Sequence, residues 1–125
     1  MKILCVDRSP WGLMDMKRKV KAIKPDAVIH GCRDPEAALS LAKREGCDVL
    51  LTEIDLGGPK REGLDFALRM QTINPEVNVI FVTTFAEWDY ARDVIQMRAS
   101  GFVRKPYKAE RLAEEFAHLR YAVSS

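Results

Sequence analysis

Asp48-Val49-Leu50-Leu51-Thr52-Glu53-Ile54-Asp55 sets a four-residue apolar run, 49 to 52, directly before two acids. A run this short reads as a strand buried on both faces, the kind parallel sheets contain, because a buried helix would need ten or more residues. Comparable runs lie at 3 to 6, 27 to 29, 79 to 82 and 101 to 103. Between them the apolar residues change period. Leu13, Met16, Val20 and Ile23 stand three or four apart, as one face of a helix requires. Asp34-Pro35 pairs a capping carboxylate with a proline at the first helical position, and Ala38, Leu41 and Ala42 follow as the inward face. Leu64, Ala67 and Leu68 mark a third helix, Ala91, Val94 and Ile95 a fourth, and Leu112, Phe116 and Leu119 a fifth.

The pattern predicts an α/β fold: (βα)5, a doubly wound five-stranded parallel sheet with helices on both faces and right-handed crossovers. At 125 residues, 47% hydrophobic and 30% charged, the chain has room for one domain, 1–125, and one core. The Gly57-Gly58-Pro59-Lys60-Arg61-Glu62-Gly63 stretch is the one long loop, a rim and not a boundary. Twenty basic against eighteen acidic residues leave a net charge of +2, too little for nucleic-acid binding unless the charges cluster. Cys5, Cys32 and Cys47 form no C-x-x-C pair and no even set for disulfides, which fits a reducing, cytoplasmic compartment. Cys5, inside the first strand, reads as a small buried apolar residue. No stretch approaches the ~18 apolar residues of a membrane span, and the chain opens on a strand and not a secretory signal, so no membrane contact is expected.

Ligands of open doubly wound sheets bind outside the carboxyl ends of the strands, where strand order reverses; in the order 2-1-3-4-5 that is between strands one and three. The residues ending the strands are Asp7-Arg8, Glu53-Ile54-Asp55, Thr83-Thr84 and Lys105-Pro106. Singly, each is an ordinary capping acid, hydroxyl or surface lysine. Together they bring acids, hydroxyls and an ammonium to one mouth from distant parts of the chain. His30 and His118 lack partners at metal-ligand spacing and read as loop and helix-surface residues. A phosphatase with Asp-x-Asp after strand one is disfavoured by Asp7-Arg8-Ser9. A flavin carrier is disfavoured by Ser9-Pro10-Trp11-Gly12, where proline removes a phosphate-binding N–H.

These residues resemble the receiver domain of two-component response regulators, CheY-like and flavodoxin-like in fold, over essentially the whole chain. The most specific part is Ala99-Ser100-Gly101-Phe102-Val103-Arg104-Lys105-Pro106-Tyr107, similar to the family's aromatic switch and its lysine before proline. The resemblance implies a non-enzymatic signalling module of the N-terminal kind that precedes an output domain. It also implies a switch of Thr83 and Phe102, a cis Lys105-Pro106 bond, and partners that include a histidine kinase. A homodimer is expected through the face of the fourth helix, fifth strand and fifth helix, which carries Trp88, Tyr90, Tyr107 and Tyr121.

The departures are pointed. Glu53 stands at the phosphoacceptor aspartate, Arg8 replaces the second metal-binding acid, and the loop from Leu56 to Gly63 is about two residues longer than usual. Mg²⁺ needs oxygen ligands, and Arg8 offers none while repelling a cation. Two unit charges ~4 Å apart interact by roughly 4 kcal/mol at an effective dielectric of about 20, so Arg8 turns a repulsion with Asp7 or Glu53 into an attraction. Asp7, Glu53, Arg8 and Lys105 are then expected to neutralise one another without metal or other cofactor. Glu53, one methylene longer than aspartate, is expected to reach Lys105 and Thr83 as a partial mimic of a phosphoaspartate. The expectation is a pseudo-receiver that signals through protein contacts. The alternative is a residual Mg²⁺-dependent receiver, with Asp7, Glu53 and Asp55 as metal ligands, phosphate on Asp55 or Glu53, and transcription control through a C-terminal DNA-binding domain. Asp55, two residues after Glu53, would share its side if the strand continued.

Overall fold

The computed structural model describes residues 1–58, 62–86 and 90–119. Strands and helices alternate throughout: β1 Lys2–Val6, α1 Pro10–Ile23, β2 Val28–Cys32, α2 Pro35–Glu45, β3 Val49–Thr52, α3 Glu62–Ile73, β4 Asn78–Thr83, α4 Ala91–Gln96, β5 Gly101–Arg104 and α5 Ala109–Phe116. The five strands form one parallel sheet in the order β2-β1-β3-β4-β5, the expected doubly wound fold. β3 and β4 are buried along their whole length and β1 beyond its first residue, because apolar layers cover the sheet on both sides.

Alternation along each strand sorts the two layers. Leu4, Val6, Leu50 and Phe81 meet Ala38 of α2 and Leu64, Phe66 and Met70 of α3. Ile3, Cys5, Val49, Leu51 and Ile80 meet Met16 and Val20 of α1 and Leu112 and Phe116 of α5. The caps are local chemistry: Ser9 Oγ accepts from Gly12 N at 3.2 Å, and Asp34 Oδ2 from Ala37 N at 2.9 Å, each just before a proline at the helix start.

Three local expectations are corrected. β2 runs from 28 to 32 and not from 27 to 29, so His30 is a strand residue; as an edge strand it carries His30 and Gly31 and shows no apolar run. In α3 the buried face is Leu64, Phe66, Ala67 and Met70, with Leu68 46% exposed. In α4 Val94 is buried, while Ile95 is 74% exposed.

Candidate functional site

Four loops meet at the carboxyl end of the sheet. Asp7 follows β1 and is 1% exposed; its Oδ1 accepts from Ser9 N at 2.9 Å and its Oδ2 from Lys105 Nζ at 2.7 Å. Glu53 follows β3, 7% exposed, its Oε1 accepting from Lys105 Nζ at 3.2 Å. Glu53 Oε2 turns back onto its own chain and accepts from Ile54 N at 2.6 Å and Asp55 N at 3.2 Å. Lys105 N donates to Thr83 O at 2.7 Å, which ties the lysine to the end of β4, and the Lys105-Pro106 bond is cis. All four carboxylate oxygens of the two buried acids therefore hold a donor. Burial pushes the Lys105 ammonium down, but its hydrogen bond to Asp7 and the charge of Glu53 outweigh this and leave its pKa above the ordinary 10.5.

Close packing holds the cluster in place. A Cβ on Gly12, in the first turn of α1, would lie 2.4 Å from Asp7 Oδ2. A Cβ on Gly63, at the start of α3, would lie 2.3 Å from Ile54 O and 2.6 Å from Glu53 O. Both glycines admit a backbone to the acids at distances no side chain allows. Lys19 of α1 braces the far side: it donates to Tyr107 O, pairs with Asp15 Oδ2 at 2.8 Å and lies 3.9 Å from the centre of the Tyr107 ring. Gly12 figured in the sequence only within the rejected phosphate loop Ser9-Pro10-Trp11-Gly12, and Lys19, a lysine in a basic segment, carried no motif.

The expected four-charge cluster is corrected to three. Arg8 points away from Asp7 and Glu53; its side chain, 56% exposed, meets Asp55, 45% exposed, at 3.4 Å. Asp55 does not share the buried side with Glu53, because β3 ends at Thr52 and the chain turns, leaving Asp55 Oδ1 to accept from Gly57 N at 3.1 Å. Nor does Glu53 meet Thr83, whose buried hydroxyl accepts from Phe85 N at 3.3 Å. The extra methylene of Glu53 is used in curling back and not in reaching outward. Phe102 is turned into the core, 6% exposed, 6.5 Å from Phe81 between ring centres.

Of the aromatic residues expected at an interface, Trp88 and Tyr121 lie outside the described residues. Tyr90 is half-buried against Phe85, ring centres 5.5 Å apart. Tyr107 is half-buried, and among the described residues its hydroxyl has no hydrogen-bond partner; burial, then the charge of Asp15, pushes its phenol well above 10.

The donor set does not fit the divalent cation that such a site would hold. Among the described residues Asp7 and Glu53 are the two acids in the pocket and both are occupied by Lys105, the Arg8 side chain supplies no oxygen, and Asp55 is tied outside. Among the described residues no group of three or more His, Cys, Asp or Glu side chains is placed to hold a metal ion.

Residues 3–117 match the response regulator receiver domain, and the chain belongs to that family. It is 31% identical over 109 residues to a protein-glutamate methylesterase/protein-glutamine glutaminase of Chromohalobacter salexigens, an alignment covering 85% of this chain and 30% of that protein. The chain thus spans under a third of the length of such relatives, and the esterase name belongs to them. Chemotaxis protein CheY of Listeria monocytogenes is 24% identical, with 91% of this chain and 93% of that one aligned. In fold, it is similar to a response regulator receiver domain protein from Clostridium thermocellum, with a TM-score of 0.81, 22% identity, and 98% and 96% of the two chains covered. Among the described residues no helix is long and apolar enough to cross a membrane.

Proposed function

We propose that this receiver domain signals without being phosphorylated, through protein contacts on the α4–β5–α5 face. The carrying observation is the double engagement of Lys105, 2.7 Å from Asp7 Oδ2 and 3.2 Å from Glu53 Oε1, with Glu53 Oε2 held by two backbone amides. Phosphoryl transfer to a carboxylate needs a free oxygen nucleophile and a cation to neutralise charge. Here the nucleophile's position is taken by an occupied glutamate and the cation by a tethered ammonium. The built-in cluster holds the Thr83 and Lys105 ends of β4 and β5 together, and Phe102 stays in the core. Beside it opens a cavity of about 720 Å³ lined by Phe102, Arg104, Tyr107, Lys108 and Arg111, on which a protein partner such as an output domain would bear. Three free thiols suit a reducing cell interior as the place of action.

The test is intact-mass analysis after incubation with Mg²⁺ and acetyl phosphate, alongside an aspartate-bearing receiver. The expected result is an adduct on the control and none on this chain. An adduct abolished by Glu53→Gln or Asp55→Asn would overturn the proposal and identify the acceptor.

A further inference from the structure

Residues 15–26 hold Lys17, Arg18, Lys19, Lys21 and Lys24 against Asp15 and Asp26, a local excess of positive charge larger than the net +2 of the whole chain. The cations are thus clustered, the condition under which a small net charge still allows a polyanion to bind. Lys19 is committed to Tyr107 and Asp15. Lys17, Arg18 and Lys21 are exposed, and Lys24 stands half-buried at the helix end. The outward crest of α1 is Trp11, Met14, Arg18 and Lys21, spaced three, four and three apart. Lys17 flanks that crest on the side of β2: a Cβ on Gly31 would lie 2.8 Å from Lys17 Cδ, so the glycine leaves the lysine stem room over the strand. At the N-terminal end of α1, Arg33 Nε donates to Arg8 O at 2.9 Å, and both of these cations are exposed. Trp11 is 76% and Met14 59% exposed, an indole and a thioether standing in water within a basic strip.

We propose that this strip, α1 with the edge strand β2 beside it, binds single-stranded nucleic acid, with Lys17, Arg18 and Lys21 along the phosphates and Trp11 stacked on a base. Cations that track a backbone, with an aromatic ring among them, suit an unpaired strand because every base offers a face to stack on. From Trp11 to Lys24 the helix runs about 20 Å at about 1.5 Å per residue, room for a short site of about 4 nucleotides. The bonds these cations make within the chain are weak competitors: Arg18 pairs with Asp15 while 75% exposed, and Lys21 Nζ donates to Pro25 O. Other polyanions fit less well. A flat anionic membrane laid on this side of the sheet would also meet Glu110 and Glu114, exposed on α5, which shares the apolar layer of α1. A single strand follows α1 alone. An acidic protein segment would satisfy the cations and leave Trp11 without a base, and a duplex keeps its bases stacked on one another. The inference stands whether or not Glu53 accepts phosphate, and it does not use the α4–β5–α5 face.

Fluorescence anisotropy of a labelled thymidine oligonucleotide of about 15 residues, titrated with the whole chain at about 0.1 M salt, tests it. Binding is expected, and its affinity should fall with salt by about 0.7 log units per log unit for each phosphate contacted. Trp11→Ala is expected to weaken it about tenfold, the loss of one stacked base. Lys17→Glu/Lys21→Glu is expected to weaken it by about tenfold or more and to flatten its salt dependence. Lys43→Glu/Arg44→Glu makes the same change in net charge on α2, across the sheet, and is expected to bind within about twofold of the wild type. All these side chains are exposed, so wild-type circular dichroism is expected throughout. The oligonucleotide annealed to its complement is expected to bind less tightly than the single strand. No binding by the wild type, wild-type binding by Trp11→Ala or by Lys17→Glu/Lys21→Glu, a loss in Lys43→Glu/Arg44→Glu as large as in Lys17→Glu/Lys21→Glu, or a duplex bound as tightly would each overturn the proposal. So would tighter binding to vesicles of phosphatidylserine and phosphatidylcholine in equal parts, or to a polyglutamate peptide of the same length.

Discussion

Lys105 Nζ lies 2.7 Å from Asp7 Oδ2 and so joins residues 98 positions apart in the chain. The same ammonium serves Glu53, which leaves two buried acids dependent on one cation. Lys105→Met is therefore expected to cost about 3 kcal/mol or more, since removing one partner of a buried pair strands the other charge. Urea denaturation at neutral pH measures it, and a loss below about 1 kcal/mol would show the cluster to be solvated like a surface pair.

The alkaline limb of stability follows from the directions of several shifts. Lys105 is raised in the folded state, so its contribution is complete below the unfolded value near 10.5 and is lost as pH rises through the folded value. Tyr107 is raised too, by burial first; the unfolded chain ionises it at lower pH, and this also draws stability down above about pH 10. Denaturation midpoints should begin to fall near pH 9, where the unfolded chain ionises Cys5 and Cys47, and fall further above about pH 10. Tyr107→Phe should soften that fall and cost nothing at pH 7, because the lost hydroxyl had no partner.

Gly63 and Gly12 make a graded pair. At Gly63 an added methyl meets backbone, Ile54 O at 2.3 Å and Glu53 O at 2.6 Å, and nothing there can rotate away. Gly63→Ala should cost about 3 kcal/mol, at the upper end for overpacking. At Gly12 the obstacle is the Asp7 carboxylate, and alanine's helix propensity returns up to about 1 kcal/mol, so Gly12→Ala should cost less. Thermal melts of the two variants side by side check the ranking.

The thiols should separate by burial. Desolvation pushes Cys5 and Cys47 up to about 12, and Cys32 is raised less and is half-buried. Brief alkylation of the native protein at pH 8 should modify Cys32 alone, and all three in urea, as peptide mass mapping would show. Native labelling of Cys5 would contradict its place in the sheet.

Aspartate at positions 8 and 53 should build a cation site. Arg8→Asp/Glu53→Asp removes a guanidinium and shortens the side chain that curls back on Ile54 N and Asp55 N. Titration of free Mn²⁺ by electron paramagnetic resonance should show uptake by the double variant and none by the wild type. Equal uptake by both would show that Lys105 yields its acids readily.

The fold was legible because parallel strands must be apolar on both faces: residues 49 to 52 and 79 to 82 announce themselves, and Asp34-Pro35 is a cap by composition alone. α3 was harder, since Leu64, Phe66, Ala67, Leu68 and Met70 are all apolar and more than one stripe is possible; the sheet chooses Phe66 and Met70 over Leu68. The loop ends that form the site were readable from topology. Which cation meets which acid was not: Arg8 and Lys105 both lie within reach of the mouth, and the turn after Thr52 decides that Arg8 takes Asp55.

The Asp7–Lys105 bond also bears on how the chain is made. Synthesis delivers Asp7 and Glu53 long before Lys105, together with β4, whose far edge is paired only when β5 emerges. Until then both acids stay hydrated, since burying them without a counter-charge is too costly. The nascent domain therefore waits on its last quarter, and a ribosome stalled ahead of residue 105 would present a protease-sensitive chain with an open sheet edge.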